Sequence, residues 1–209
     1  MNFRKYIVLI FLLLAIITGG FLAACSSGTK LPHLASNAVV LAFGDSLTYG
    51  TGAEPTESYP TVLEKLIGRK VINAGIPGEV TSQGLSRLPE VLQKENPSLM
   101  LLCHGGNDLL RRLDQQNAAN NIRSMIRLAQ KRGVSVVLIA VPAPGVSLSP
   151  PSMYREIAQE FAIPCEEKII ATVLADGSLK SDYIHPNAAG YRRIAEALAA
   201  LLKKSGAVE

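Results

Sequence analysis

A chain of 209 residues can bury one sizeable core and is too short for two full domains once a leader is set aside. Hydrophobic residues at 48% against charged residues at 18% exclude a disordered polyelectrolyte, although the apolar N-terminus inflates the first figure. The net charge of +4 becomes +2 when Arg4 and Lys5 are removed, and the remaining charges are scattered, so the basic balance gives no reason to expect a nucleic-acid partner.

Met1 to Cys25 opens with Arg4 and Lys5, runs apolar from Tyr6 to Phe21 except for Thr18, Gly19 and Gly20, and closes on Leu22-Ala23-Ala24-Cys25. Charged, apolar and small-residue regions in that order are those of a signal peptide. The run is short for a membrane-crossing helix, which needs about 20 apolar residues, so an uncleaved anchor is the lesser reading. Leu-Ala-Ala-Cys also resembles the lipobox of bacterial lipoproteins. That resemblance implies cleavage after Ala24, acylation of Cys25 and a membrane-bound protein of the bacterial cell envelope. With no Asp after the Cys, it implies the outer membrane, facing the periplasm. The expected organisation is a signal peptide over 1–24, a lipidated Cys25 with a flexible tether over 25–37, and one folded domain over 38–205. His33 falls in the tether and is given no role. Cys103 and Cys165 are then expected to be buried free thiols.

Ala38 to Phe43 is a continuous apolar run of the kind buried on both faces of a parallel sheet. Ser58 to Gly68 has helical spacing in Tyr59, Val62, Leu63, Leu66 and Ile67, with Ser58 placed to cap and Pro60 in the first turn. Lys70 to Asn73 reads as a second strand. From Ser82 to Glu95, Leu85, Leu88, Val91 and Leu92 return every three or four residues, and Asn96-Pro97 stops that helix before a strand over 98–104. Ala118 to Arg132 is the next amphipathic helix, closed by Gly133, and Val134 to Val141 is the most strand-like run. Pro142, Pro144, Pro150 and Pro151 mark a loop. A helix near Met153 to Phe161, a short strand at Ile163 to Cys165 and a helix from Asn187 to Lys204 complete the series. Strand and helix alternate, which predicts an α/β fold with a parallel sheet covered on both faces.

In such a sheet ligands bind beyond the carboxyl ends of the strands, so the residues after each strand are the ones to inspect. They are Gly44-Asp45-Ser46-Leu47 after the first, Asn73-Ala74-Gly75-Ile76-Pro77-Gly78 after the second, and Gly105-Gly106-Asn107-Asp108 after the third. Ser181-Asp182-Tyr183-Ile184-His185-Pro186-Asn187 stands near the C-terminus. A lone Gly-Asp-Ser-Leu is a weak signal. Four blocks in this order, each at a strand end or before the last helix, resemble the SGNH (GDSL) hydrolases over about the whole mature domain. Asn73 to Pro89 is similar to the branch of multifunctional thioesterases, lysophospholipases and arylesterases.

The resemblance implies a three-layer α/β/α, flavodoxin-like domain with a mostly parallel five-stranded sheet, acting as a serine esterase on carboxylic esters or thioesters. Ser46 matches the nucleophile and His185 the base, three positions after Asp182, which would orient it. A serine hydroxyl needs such a base to take its proton. The backbone N–H groups of Ser46 and Gly78 and the side-chain amide of Asn107 match the oxyanion hole, which stabilises charge developing on the carbonyl oxygen. Glycine at 78 permits positive φ and close approach of the backbone. No cofactor is implied, and the expected partners are a small-molecule or lipid ester and, through Cys25, a membrane; the protein is expected to be a monomer. No Gly-x-Ser-x-Gly elbow is present, which sets the α/β-hydrolase fold aside.

Alternatives stand beside each element. A carbohydrate O-acetyl esterase uses the same four blocks, and a non-catalytic binding lipoprotein could keep the fold. Asp45, Asp108, Asp182, His104 and His185 have no recognised metal-ligand spacing. Asp108 is expected to cap the turn after the third strand. His104 departs from the family, which more often has an apolar or acidic residue there; it reads as a packed histidine, with a place on the pocket floor as the alternative. Arg111 and Arg112 read as solvated surface, with an anionic head group as the other possibility.

Overall fold

The computed structural model describes residues 29–143, 145 and 148–209. The signal peptide, the lipobox with Cys25, and Pro144, Val146 and Ser147 of the proline loop lie outside the described residues.

Strand β1 (Val39–Gly44) leads into α1 (Ser46–Tyr49) and α2 (Tyr59–Ile67), then β2 (Lys70–Gly75) and α3 (Thr81–Glu95). Next come β3 (Leu99–Cys103), α4 (Gly106–Leu110), α5 (Gln115–Lys131) and β4 (Ser135–Ile139). The chain closes with α6 (Met153–Glu160), β5 (Cys165–Glu166), α7 (Ile169–Ala175) and α8 (Ala188–Ser205). Every strand pairing is parallel, in the order β2-β1-β3-β4-β5. Helices α2, α7 and α8 pack together on one face and α3, α5 and α6 on the other, so the domain has the expected three layers. Val40 to Phe43 and all of β3 are fully buried, which is why these runs lack the polar alternation of a half-exposed strand. Among the described residues no helix is long and apolar enough to cross a membrane.

The chain leaves β1 for β2 on one side and reaches β3, β4 and β5 on the other. The loops after β1 and β3 therefore diverge and open a crevice at the carboxyl end of the sheet, the switch point where such folds bind ligands.

Several details correct the reading from sequence. The segment taken as a free tether joins the domain from Leu31 onward: Leu31 N–H donates to Ser205 O, Leu34 N–H donates to Ala207 O, and Leu34 is buried with Ala207 and Val208. Helix α5 begins at Gln115, a turn before Ala118, because the Asp114 carboxylate accepts from the N–H groups of Gln116 and Asn117. The Ser58 side chain does not cap α2; its hydroxyl bonds Pro55 O and the Thr61 hydroxyl. Helix α7 has no counterpart in the sequence reading, since its seven residues are too few to display a period. Cys103 is buried, whereas Cys165, on the short edge strand β5, is only half-buried; both are free thiols.

Candidate active site

Ser46, Gly78 and Asn107 each follow a strand at the carboxyl end of the sheet, and Asp182 and His185 precede the last helix. Asp45 ends β1, and its carboxylate accepts from the Leu47 N–H at 3.1 Å, so the chain turns directly into α1 with Ser46 as its first residue. His185 lies before α8, whose N-cap is Asn187. The Ser181–Asn187 segment is tied down by Ser181 N–H donating to His185 O and by Asp182 Oδ1 accepting from the N–H groups of Ile184 and His185, both at 2.8 Å.

These turns bring together residues 139 apart in sequence: His185 Nε2 is 3.0 Å from Ser46 Oγ, and His185 Nδ1 is 2.7 Å from Asp182 Oδ2. A carboxylate can only accept, so Nδ1–H donates to Asp182 and Nε2 is left as the acceptor for the Ser46 hydroxyl. Burial draws the Asp182 carboxyl upward, but the bonds from the His185 ring and from the N–H groups of Ile184 and His185 outweigh it and hold the group below its ordinary value. Asp45, beside the serine and 1% exposed, is pushed up by burial, against the pull of His104 and the Leu47 N–H.

The three oxyanion candidates converge from β1, β2 and β3. Ile76-Pro77-Gly78-Glu79 is closed by Glu79 N–H donating to Ile76 O, with Gly78 at φ +78°, the residue pattern of a type II turn. In that turn the peptide between Pro77 and Gly78 carries the Gly78 N–H, and no acceptor among the described residues takes it or the Ser46 N–H. Asn107 Nδ2 has two hydrogens: one makes a 3.0 Å bond to Glu79 O, and the other lies in a stretched 3.4 Å contact with Asp45 Oδ2. The second is the one that can be given up to an oxyanion.

Beside Ser46 and His185 opens a cavity of about 260 Å³, lined by Leu110, Val141, Pro142, Leu148, Leu174 and Ile184 among others, with Lys180 and the exposed Tyr183 also on its wall. The proline loop thus borders the apolar chamber, while the loop from Ile76 to Glu79 lines a separate groove with Arg111. Two residues behave differently from their sequence reading. Asp108 reaches across to α3, accepting from Thr81 N–H at 2.9 Å and the Thr81 hydroxyl at 2.7 Å, and does not cap its own turn. Arg111 donates to Gly78 O at 2.7 Å and so braces the turn. His104 is fully buried and does not line the cavity. Glu79 and Arg87 were not singled out from sequence; the signal available was an acidic residue directly after the glycine of the second block and an arginine among the apolar positions of the next helix. Among the described residues no cluster of His, Cys, Asp and Glu is arranged to hold a metal ion.

Comparison with known proteins points the same way. The model of the GDSL-like lipase/acylhydrolase family matches residues 42–193. Esterase TesA of Pseudomonas aeruginosa is 28% identical over 191 residues, covering 84% of this chain and 92% of that protein. The thioesterase 1/protease 1/lysophospholipase L1 of Escherichia coli K12 is 29% identical over 156 residues, 71% of this chain and 75% of the relative. Among solved structures, the SGNH-hydrolase family esterase AlinE4 superposes with a TM-score of 0.65 at 31% identity, covering 82% of this chain and 97% of that one.

Proposed function

The chain belongs to the GDSL-like lipase/acylhydrolase family and is a serine ester hydrolase, and we propose that it cleaves acyl esters and thioesters through an acyl-enzyme on Ser46. The observation that carries this reading is the Ser46–His185–Asp182 relay standing at the mouth of an apolar chamber. Ser46 Oγ attacks the carbonyl carbon as its proton passes to His185 Nε2, and Asp182 stabilises the imidazolium. Negative charge on the carbonyl oxygen is met by the Ser46 N–H, the Gly78 N–H and the second hydrogen of Asn107 Nδ2. Collapse expels the alcohol or thiol, which takes the proton from Nε2. A water then repeats the relay, releases the acid and restores the serine.

The chamber's apolar wall favours an acyl chain longer than acetyl, because each buried methylene contributes about 0.8 kcal/mol. This separates the reading from a carbohydrate O-acetyl esterase. We also propose that Cys25 is acylated and anchors a monomeric protein at the outer membrane. The chain enters the domain beside Ser205 and Ala207, at the amino end of the sheet, so an anchor there leaves the cleft at the opposite end open. A Cys25→Ala variant should leave the membrane fraction with unchanged turnover.

A p-nitrophenyl ester series from acetate to palmitate, run beside Ser46→Ala and with a chelator, tests the chemistry. Turnover that rises beyond acetate, drops by roughly 10⁴-fold or more in Ser46→Ala and survives the chelator supports it. Acetate-only turnover favours the deacetylase, and turnover equal in both proteins overturns the serine mechanism.

A further inference from the structure

Beneath the turn that carries the Gly78 N–H lies a buried polar assembly that no step above uses. The Glu79 carboxylate, 5% exposed, accepts from Arg87 Nε at 2.6 Å and Arg87 Nη2 at 2.7 Å, and lies 3.0 Å from His104 Nε2. The direction of the last bond is fixed by the neighbours. Gly105 N–H donates to His104 Nδ1 at 3.2 Å, so the ring proton sits on Nε2 and is donated to Glu79. The His104 backbone is held in turn by the Tyr154 hydroxyl, which donates to His104 O at 2.8 Å.

The assembly reaches every strand that supplies an oxyanion donor. Arg87 Nη2 donates to Gly44 O at the end of β1 and to Ala74 O near the end of β2, and its guanidinium stacks over Phe43 at 4.0 Å. His104 directly follows β3, three residues before Asn107, and Glu79 O accepts the Asn107 bond. Ser46 follows β1, Gly78 follows β2 and Asn107 follows β3, so one buried carboxylate is joined, through Arg87, His104 and its own peptide, to the segments that carry all three. Its second partner, His104, needs room: a methyl at Gly84 of α3 would lie 2.4 Å from His104 Nε2, so a side chain there would displace the ring.

We propose that His104 is a positioning residue for ester hydrolysis, donating to Glu79 so that the 76–79 turn holds the Gly78 N–H and Asn107 at oxyanion distance from Ser46. Arg87 donates to both carboxylate oxygens, Nε to Oε1 and Nη2 to Oε2, and His104 is the second donor to Oε2. Without His104, Oε2 keeps one donor where it had two, and Glu79 pivots on Arg87 and carries the adjoining peptides with it. Displacements of about 1 Å in such a constellation can lower the rate on the order of 10²-fold. The inference rests on the ester-hydrolase mechanism above.

The test compares His104→Gln, His104→Asn and His104→Leu in the full chain. The Gln amide reaches the place of Nε2 and can still donate to Glu79. The Asn amide can accept from Gly105 N–H but falls short of Glu79, and Leu does neither. Measured are kcat and KM on p-nitrophenyl butyrate, the inactivation rate with a p-nitrophenyl alkylphosphonate, whose serine adduct places an oxygen in the same hole, and Tm. The expected result is a kcat loss of about ten- to a hundredfold for Asn and Leu with KM nearly unchanged, and a matching fall in phosphonate inactivation. Gln should restore kcat to within about fivefold even if its Tm falls as far as that of Asn. Gly84→Ala, which displaces the ring without removing a polar group, should lose kcat as Leu does and serves if Leu does not fold. The proposal is overturned if Asn and Leu keep wild-type kcat, or if Gln and Asn lose it equally. A wild-type protein with no serine-dependent turnover overturns the ester-hydrolase mechanism and this inference with it, whereas an active wild type with indifferent 104 variants overturns this inference alone.

Discussion

Replacing Gly78 by alanine isolates what the backbone does at the oxyanion hole. An added methyl would meet nothing nearer than Arg111 Nη2 at 3.6 Å, so the site has space for it. The difficulty is φ of +78°, where an alanine is strained by about 1–2 kcal/mol. The turn has an inexpensive escape: rotating the peptide between Pro77 and residue 78 gives a type I turn and leaves Glu79 N–H donating to Ile76 O. That rotation points the N–H of residue 78 away from the substrate. Because the N–H has no acceptor among the described residues, no hydrogen bond there opposes its departure. The expected outcome is a kcat reduced about 10²- to 10³-fold, or roughly 2.7–4 kcal/mol of transition-state stabilisation, with KM nearly constant. Tm should fall by less than about 4 °C, since the rotation relieves the strain. Steady-state kinetics on p-nitrophenyl butyrate and a thermal melt by circular dichroism measure both. A variant with wild-type kcat would refute the assignment of this turn as the device that aims the donor.

Three further outcomes follow from the same geometry. In Asp182→Asn the Oδ1 that accepts from Ile184 and His185 N–H groups keeps those bonds, which sets the amide nitrogen against His185 Nδ1 and forces the proton onto Nε2, so kcat should fall on the order of 10⁴-fold with little change in Tm. Glu79 carries a carboxyl held below its ordinary 4.5: burial raises it, and the His104 and Arg87 bonds more than offset that. The folded protein therefore binds this proton less readily than the unfolded chain. Stability from Glu79 is complete above that ordinary value and is lost as pH falls through the folded value, so urea unfolding should show an acid limb that Glu79→Gln flattens. Val141, 4% exposed, lines the chamber wall; wild-type kcat/KM should rise about fourfold per methylene until the chamber is full, and Val141→Phe, by taking up space in it, should move that limit to shorter esters, as an ester series will read directly.

The apolar runs Ala38–Phe43, 98–104 and 134–141 were legible as buried strands because a strand covered on both faces needs no polar alternation, and their order with the intervening helices gave the class of fold. Three of the four motif blocks were legible because the residues after such strands must meet solvent at one end of the sheet, where polar groups beside an apolar stretch stand out; the fourth, Ser181 to Asn187, stands before the last helix. Ser46, Gly78, Asn107, Asp182 and His185 were named because those blocks resemble the motifs of the SGNH hydrolases. Helix α7, the docking of Leu31 and Leu34, and the partners of Asp108, Arg111 and His104 were not legible. Helix α7 is too short to show a period, and each of the others depends on a contact between segments far apart in the chain: Leu31 to Ser205, Thr81 to Asp108, Gly78 to Arg111, Glu79 to His104. Local sequence determines which residues are apolar, which turn is possible and which side chain can ionise. Which donor meets which acceptor is decided only when the sheet brings β1, β2 and β3 side by side, because a buried hydrogen bond is selected by the desolvated groups around it and not by the neighbours in sequence.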